Sequence, residues 1–77
     1  MITASDVLTI IHEMGRDDIS IDTQNLITDG ILSSLEIFRL IGMLEEHFDR
    51  SIDGSSLTPE SLSSCESIAQ LLEQSAS

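Results

Sequence analysis

The chain has 77 residues, 14 of them acidic against three arginines and no lysine, for a formal net charge of -11. That balance excludes a surface built to hold nucleic acid or an anionic membrane, since both require positive charge. Two phenylalanines are the only aromatic residues, which excludes base stacking as a mode of recognition. Apolar residues still make up 40% of the chain, enough for a folded core in one small domain spanning residues 1–77.

A single cysteine forbids an internal disulfide. The first residues show no basic region followed by an apolar run, so no signal peptide is expected, and no stretch is long enough to span a bilayer. A cytoplasmic protein is therefore expected. The acidic surface favours partners with basic patches, and the same charge also serves to keep a small monomer soluble.

Thr3-Ala4-Ser5-Asp6 has the form of a capping box, with Asp6 in the first turn, where the helix dipole favours an acid. Val7, Leu8, Ile10, Ile11 and Met14 follow at helical spacing, and Gly15 is a natural stop. A first, core-packing helix is predicted from about Ser5 to Met14. Residues 16–32 are polar and turn-rich, with Leu26 and Ile31 as expected anchors and a helical turn expected over Asp22-Thr23-Gln24-Asn25.

A second helix is predicted from Ser34 to Phe48, with Ile37, Ile41, Leu44 and Phe48 as its buried row and Leu40 able to join them. Leu35 and Phe38 fall on another side. Two arrangements fit them equally: packing beneath the long loop, or exposure as a docking pair beside acidic residues. Arg39 is placed to pair with Glu36 at i,i+3. After a second loop, Thr58-Pro59-Glu60 predicts a short third helix, with Thr58 as N-cap and Pro59 in the first turn. Ser64 is the expected cap of a last helix, with Cys65, Ile68, Leu71 and Leu72 on its inner face. Cys65 reads as a buried structural thiol.

Several of these segments, taken in order, resemble the acyl and peptidyl carrier proteins, D-alanyl carriers included. Leu32-Ser33-Ser34-Leu35 lies over that family's Leu-Asp-Ser-Leu/Met, and Asp29-Gly30-Ile31-Leu32 resembles its approach to the attachment serine. Glu45-Glu46-His47-Phe48 and Leu57-Thr58-Pro59-Glu60, continuing to Ser67-Ile68, complete a likeness that runs from the first helix through Leu72. The chain departs from the pattern at Ser33, where the family has aspartate, and at Arg39, where it is often acidic or neutral.

The resemblance implies an all-α fold, a small four-helix bundle with three longer helices and a short third one. It implies a non-catalytic carrier, with phosphopantetheine attached covalently to Ser34 and an acyl or aminoacyl group held on it as a thioester. The implied partners are a phosphopantetheinyl transferase and acyl- or aminoacyl-handling enzymes with basic docking patches. Leu35, Glu36, Phe38, Arg39, Glu45 and Glu46 are the corresponding docking residues. The general physics agrees at one point: a serine at a helix start sits among unpaired N–H groups, a place suited to a phosphate ester.

Two further readings are open. One is an unmodified carrier-like docking module. The other is an EF-hand-like calcium loop over Asp49–Glu60, whose Asp49, Ser51, Asp53, Gly54 and Glu60 match the ligand spacing, although Ser56 and Pro59 stand awkwardly in it and the chain has no second loop. No catalytic constellation is apparent, because His12, His47, Cys65 and the serines fall into no nucleophile motif. The two histidines and the cysteine also lack the close spacing of metal ligands.

Overall fold

The computed structural model describes residues 2–75. Three α-helices carry the fold: α1 (Ala4–Glu13), α2 (Ser34–Phe48) and α3 (Cys65–Gln74), with a 3-10 turn at Gly54–Ser56. No β-strand is formed among the described residues. None of these helices is long and apolar enough to cross a membrane.

Each α-helix begins with a reciprocal cap. Thr3 and Asp6 exchange side-chain and backbone hydrogen bonds at α1, as do Ser33 and Glu36 at α2 and Ser64 and Ser67 at α3. These caps satisfy N–H groups that a helix cannot pair internally. The far end of α1 closes as a Schellman motif, with Gly15 at φ +96. Gly15 N–H donates to the His12 carbonyl (2.9 Å) and Arg16 N–H to that of Ile11 (3.4 Å). Helix α2 ends at Asp49, a left-handed cap with φ 54 and ψ 47.

Val7, Ile10 and Ile11 of α1 meet Leu40, Ile41 and Leu44 of α2 and Cys65, Ile68, Ala69, Leu71 and Leu72 of α3 in one continuous core. Helix α1 packs chiefly on α3 and less extensively on α2. The inner face of α2 is thus centred on Leu40, Ile41 and Leu44, whereas Ile37 and Phe48 of the predicted row are only half-buried at its margins.

The long first loop belongs to the core. Ile19, Leu26 and Leu32 are buried, with Leu26 fully enclosed, while the predicted anchor Ile31 is half-buried. Leu26 N–H donates to the Ser63 carbonyl (3.0 Å) and Leu32 N–H to that of Leu26 (2.9 Å). The turns of this loop lie at Arg16–Ile19, Ser20–Thr23 and Asn25–Gly30 and not over residues 22–25. Asn25 takes φ 58, a left-handed conformation that asparagine tolerates better than most residues.

The predicted short third helix is replaced by a single turn. Thr58 and Ser61 do form a reciprocal cap, and Leu62 N–H reaches the Thr58 carbonyl (3.1 Å), but the next bond, Ser63 N–H to the Glu60 carbonyl (3.4 Å), is a tighter i,i+3 contact and the ladder ends with it. Ser63 Oγ donates to the Glu60 carbonyl (2.8 Å), and Ser64 is extended at φ -153 and ψ 167 so that it can cap α3. Ser64 cannot be helical and also fill that cap, so the chain leaves helical geometry before a second turn forms.

Because Leu26 is as enclosed as any helical core residue, Leu26→Ala is expected to cost about 2–4 kcal/mol, the range for a buried leucine left as a cavity. Urea unfolding followed by circular dichroism measures it. A loss below about 1 kcal/mol would show that the first loop is not an integral part of the core.

Candidate functional site

Ser33 and Ser34 differ in what surrounds them. Ser33 is the N-cap of α2, and its Oγ accepts from Glu36 N–H at 3.3 Å. Ser34 is the first residue of the helix and is exposed. Both serines are exposed, but the Ser33 oxygen already accepts from the backbone, whereas Ser34 presents its hydroxyl from within the first turn, beside the positive end of the helix dipole.

Glu36 closes the cap from the other side and extends it. Its Oε1 accepts from Ser33 N–H at 3.0 Å, and its Oε2 accepts from Arg16 Nη1 at 2.6 Å. The other edge of the same guanidinium holds Asp18 through two bonds of 3.0 Å, from Nε and from Nη2. Glu36 does not pair with Arg39, contrary to the i,i+3 expectation; its carboxylate turns back to the end of α1, and Arg39 is exposed. The Ser33 N–H bond first, and then Arg16, hold the Glu36 carboxyl below its ordinary pKa. Arg16 similarly lowers that of Asp18, and these two acids raise the pKa of Arg16 further.

Beside Ser34 lies an open, largely apolar groove of about 430 Å³, lined by Ile27 of the first loop, Ile37 and Ile41 of α2, and Ile52, Leu57 and Leu62 of the second connection. Ser34 and Phe38 also border it. On the outer face of α2, Leu35 and Phe38 are 77% and 75% exposed, so neither packs beneath the loop.

The six predicted docking residues thus fall into two sets. Leu35, Phe38, Arg39 and Glu46 are exposed on α2. Glu36 and Glu45 are half-buried and bonded within the chain: Glu45 Oε2 accepts from Ile52 N–H (2.8 Å), fixing the start of the second connection. Sequence reasoning missed Arg16, whose partner Glu36 lies 20 positions away. The only local signal was its place directly after the Gly15 helix stop.

The remaining candidates have other roles. Asp49, Asp53 and Glu60 do not gather; Asp49 caps α2 and Asp53 accepts from Ser55 N–H in the 3-10 turn. Among the described residues no group of three or more His, Cys, Asp or Glu side chains is arranged to hold a metal ion. His12 Nε2 lies 2.8 Å from the Ile19 carbonyl, and His47 packs edge-on against Phe48. Cys65 is fully buried, and burial raises its thiol pKa, the opposite of an activated nucleophile.

Compared with family models, with curated proteins and with solved structures, the chain returns no match.

The lowered pKa of Glu36 fixes the sign of a pH effect. The folded state holds its proton less tightly than the unfolded chain does, so Glu36 stabilises the fold above the ordinary carboxylate range. That contribution is lost as pH falls through the depressed value. Glu36→Gln should therefore be less stable than wild type near neutral pH, with the difference shrinking toward about pH 3. Urea midpoints at the two pH values test this, and an equal difference at both would contradict it.

Proposed function

We propose that the chain is a carrier domain, modified on Ser34 with phosphopantetheine and holding an acyl or aminoacyl group for partner enzymes. The observation that carries this reading is the exposed Ser34 hydroxyl at the first residue of α2, where a core-anchored loop ends and an apolar groove begins. The three α-helices, with the turn at 58–62 standing for a short third helix, are in keeping with a carrier bundle.

The residues present fit the group. Ser34 is accessible, and the first-turn N–H groups favour a phosphodiester there. Ser33, already bonded to Glu36 N–H, is the poorer acceptor. When attached, the arm supplies a terminal thiol that carries the group as a thioester. The chain's own part is to present Ser34, to offer Leu35 and Phe38 as a small apolar contact, and to keep each encounter brief. Glu46 and the other surface acids steer basic patches toward this face, which raises association rate more than affinity. The chain acts as a monomer and catalyses nothing itself.

Ser33 is expected to slow the transfer. The resemblance implies that the family's aspartate at this position helps hold the transferase's magnesium, a neutral hydroxyl is a weaker ligand for magnesium than a carboxylate, and the nearest acid in the cap, Glu36, is already bonded through both oxygens. Modification by a general transferase is therefore expected to be slow, and Ser33→Asp, which preserves a good N-cap, is expected to raise it. The test is incubation with coenzyme A, magnesium and a broad-specificity transferase, followed by intact-mass measurement and peptide mapping. The adduct is expected on Ser34 in wild type and in Ser33→Ala, with none in Ser34→Ala. If folded wild type and folded Ser33→Asp both stay unmodified, the carrier function falls, and an unmodified docking module built on Leu35 and Phe38 takes its place.

A further inference from the structure

We propose that Arg16 is a positioning residue for the chemistry at Ser34: by holding Glu36 it fixes the Ser33–Ser34 start of α2 in the geometry that presents the Ser34 hydroxyl. This role rests on the attachment of the arm to Ser34.

The argument begins with Gly15. Its left-handed φ of +96 completes the Schellman motif, and Arg16 N–H is then tied to the Ile11 carbonyl at 3.4 Å. The backbone of Arg16 is thereby fixed to the end of α1. Its side chain is 23% exposed, well covered for an arginine in so acidic a chain. The guanidinium has a rigid fork of donors. Two of its nitrogens take both oxygens of Asp18, and the third reaches Glu36. Asp18 therefore aims the fork, and the fork aims Glu36.

Glu36 has two oxygens with separate duties. One accepts from Ser33 N–H and the other from Arg16 Nη1. An exposed capping box on its own opens and closes readily, because its carboxylate can trade the backbone for water. With the second oxygen held from α1, the carboxylate cannot swing away without breaking an ion pair as well. Ser33 N–H stays bonded, and the Ser33 carbonyl stays in place to accept from Ile37 N–H at 2.9 Å. Each bond runs from Ser33, before Ser34, to Glu36 or Ile37, after it, so the backbone of Ser34 is held at both ends while its side chain is exposed. In the transfer the Ser34 oxygen bonds to the pantetheine-side phosphorus of coenzyme A, the pyrophosphate P–O bond breaks to release adenosine 3′,5′-bisphosphate, and the hydroxyl proton passes to a base of the transferase or to water. Such a displacement is sensitive to small shifts of the attacking oxygen, and pre-organisation here would act on the bound-state rate more than on binding.

The measurement combines amide hydrogen exchange with steady-state modification of the full chain by a broad-specificity transferase and coenzyme A, using Arg16→Gln, Arg16→Lys, Glu36→Gln and the double variant Arg16→Gln/Glu36→Gln. In Arg16→Gln, exchange at the Ser33 and Glu36 amides should accelerate while that at Leu44 does not. The rate at saturating carrier should fall about tenfold, with KM for the carrier within about twofold of wild type. Arg16→Lys should recover part of the rate, keeping the charge but not the fork. The double variant should be no slower than the slower single one, because both break one contact. If Arg16→Gln does not fold, Arg16→Lys and Glu36→Gln carry the same comparison.

Accelerated exchange with an unchanged saturating rate would reduce Arg16 to a structural clip and overturn the proposal. A raised KM at an unchanged saturating rate would do so too, making Arg16 a contact for the transferase, and unchanged exchange would remove the coupling through Glu36. Failure of folded wild type and Ser33→Asp to be modified is a separate result: it removes the attachment to Ser34, and this role with it.

Discussion

Residues 14–33 contain no regular helix, yet the burial of Ile19, Leu26 and Leu32 ties this span to the core. Local bonds fix its path between those anchors: the Schellman turn at Gly15, the hydrogen bonds of Leu26 N–H to Ser63 and of Leu32 N–H to Leu26, and the turns at 16–19, 20–23 and 25–30. Everything at the start of α2 inherits its position from this loop. Leu32 is the last buried residue before the Ser33 cap, so the register of the buried loop decides which serine caps the helix and which becomes its first residue.

Most of the local architecture was legible in the sequence because it obeys short-range rules. The Thr3/Asp6 and Ser64 caps, the Gly15 stop and the limits of α2 each follow from residues within one turn of one another. The third helix was misread for a reason of the same kind. Thr58-Pro59-Glu60 is a sound helix start, but Ser64 is a sound start for the next helix, and a helix begun at Thr58 has no room for a second turn before Ser64 must turn extended to cap α3. The competition was visible in the spacing, and its outcome depended on α3 having the larger apolar face to bury, with Ile68, Ala69, Leu71 and Leu72 against Leu62 alone.

The site was legible in part. Ser34, Leu35 and Phe38 could be placed on α2 from helical period and register alone. Whether Leu35 and Phe38 lay under the loop was undecidable from spacing, because it depends on where a non-periodic segment folds back; that segment brings Ile27 to the groove shared with Ile37 and Ile41 and leaves Leu35 and Phe38 exposed. Arg16 carried no signal toward Glu36, since an ion pair across 20 residues is set by tertiary closure. The i,i+3 rule made Arg39 the nearer candidate. A surface pair of that type contributes only a few tenths of a kcal/mol, too little to compete with an arginine whose fork is already aimed by Asp18.

The three arginines show how a chain of this charge divides its few cations. Arg16 joins the end of α1 to the start of α2, and Arg50 Nη1 donates to the Ser75 carbonyl at 3.1 Å, joining the second connection to the end of α3. Both are spent on contacts between distant segments, where a long side chain with several donors can meet a carboxylate and a carbonyl alike. Arg39 alone stays exposed, on the same helix face as Leu35 and Phe38. The carboxylates divide in the same way: Glu36 and Glu45 turn inward to backbone N–H groups, while Glu46 stays outside. Helix α2 therefore commits Glu36 and Glu45, on opposite flanks, to contacts with the first loop and the second connection, and leaves Leu35, Phe38, Arg39 and Glu46 exposed. Those four side chains present mixed charge around an apolar centre, although the net charge of the chain taken alone would suggest a uniformly acidic face.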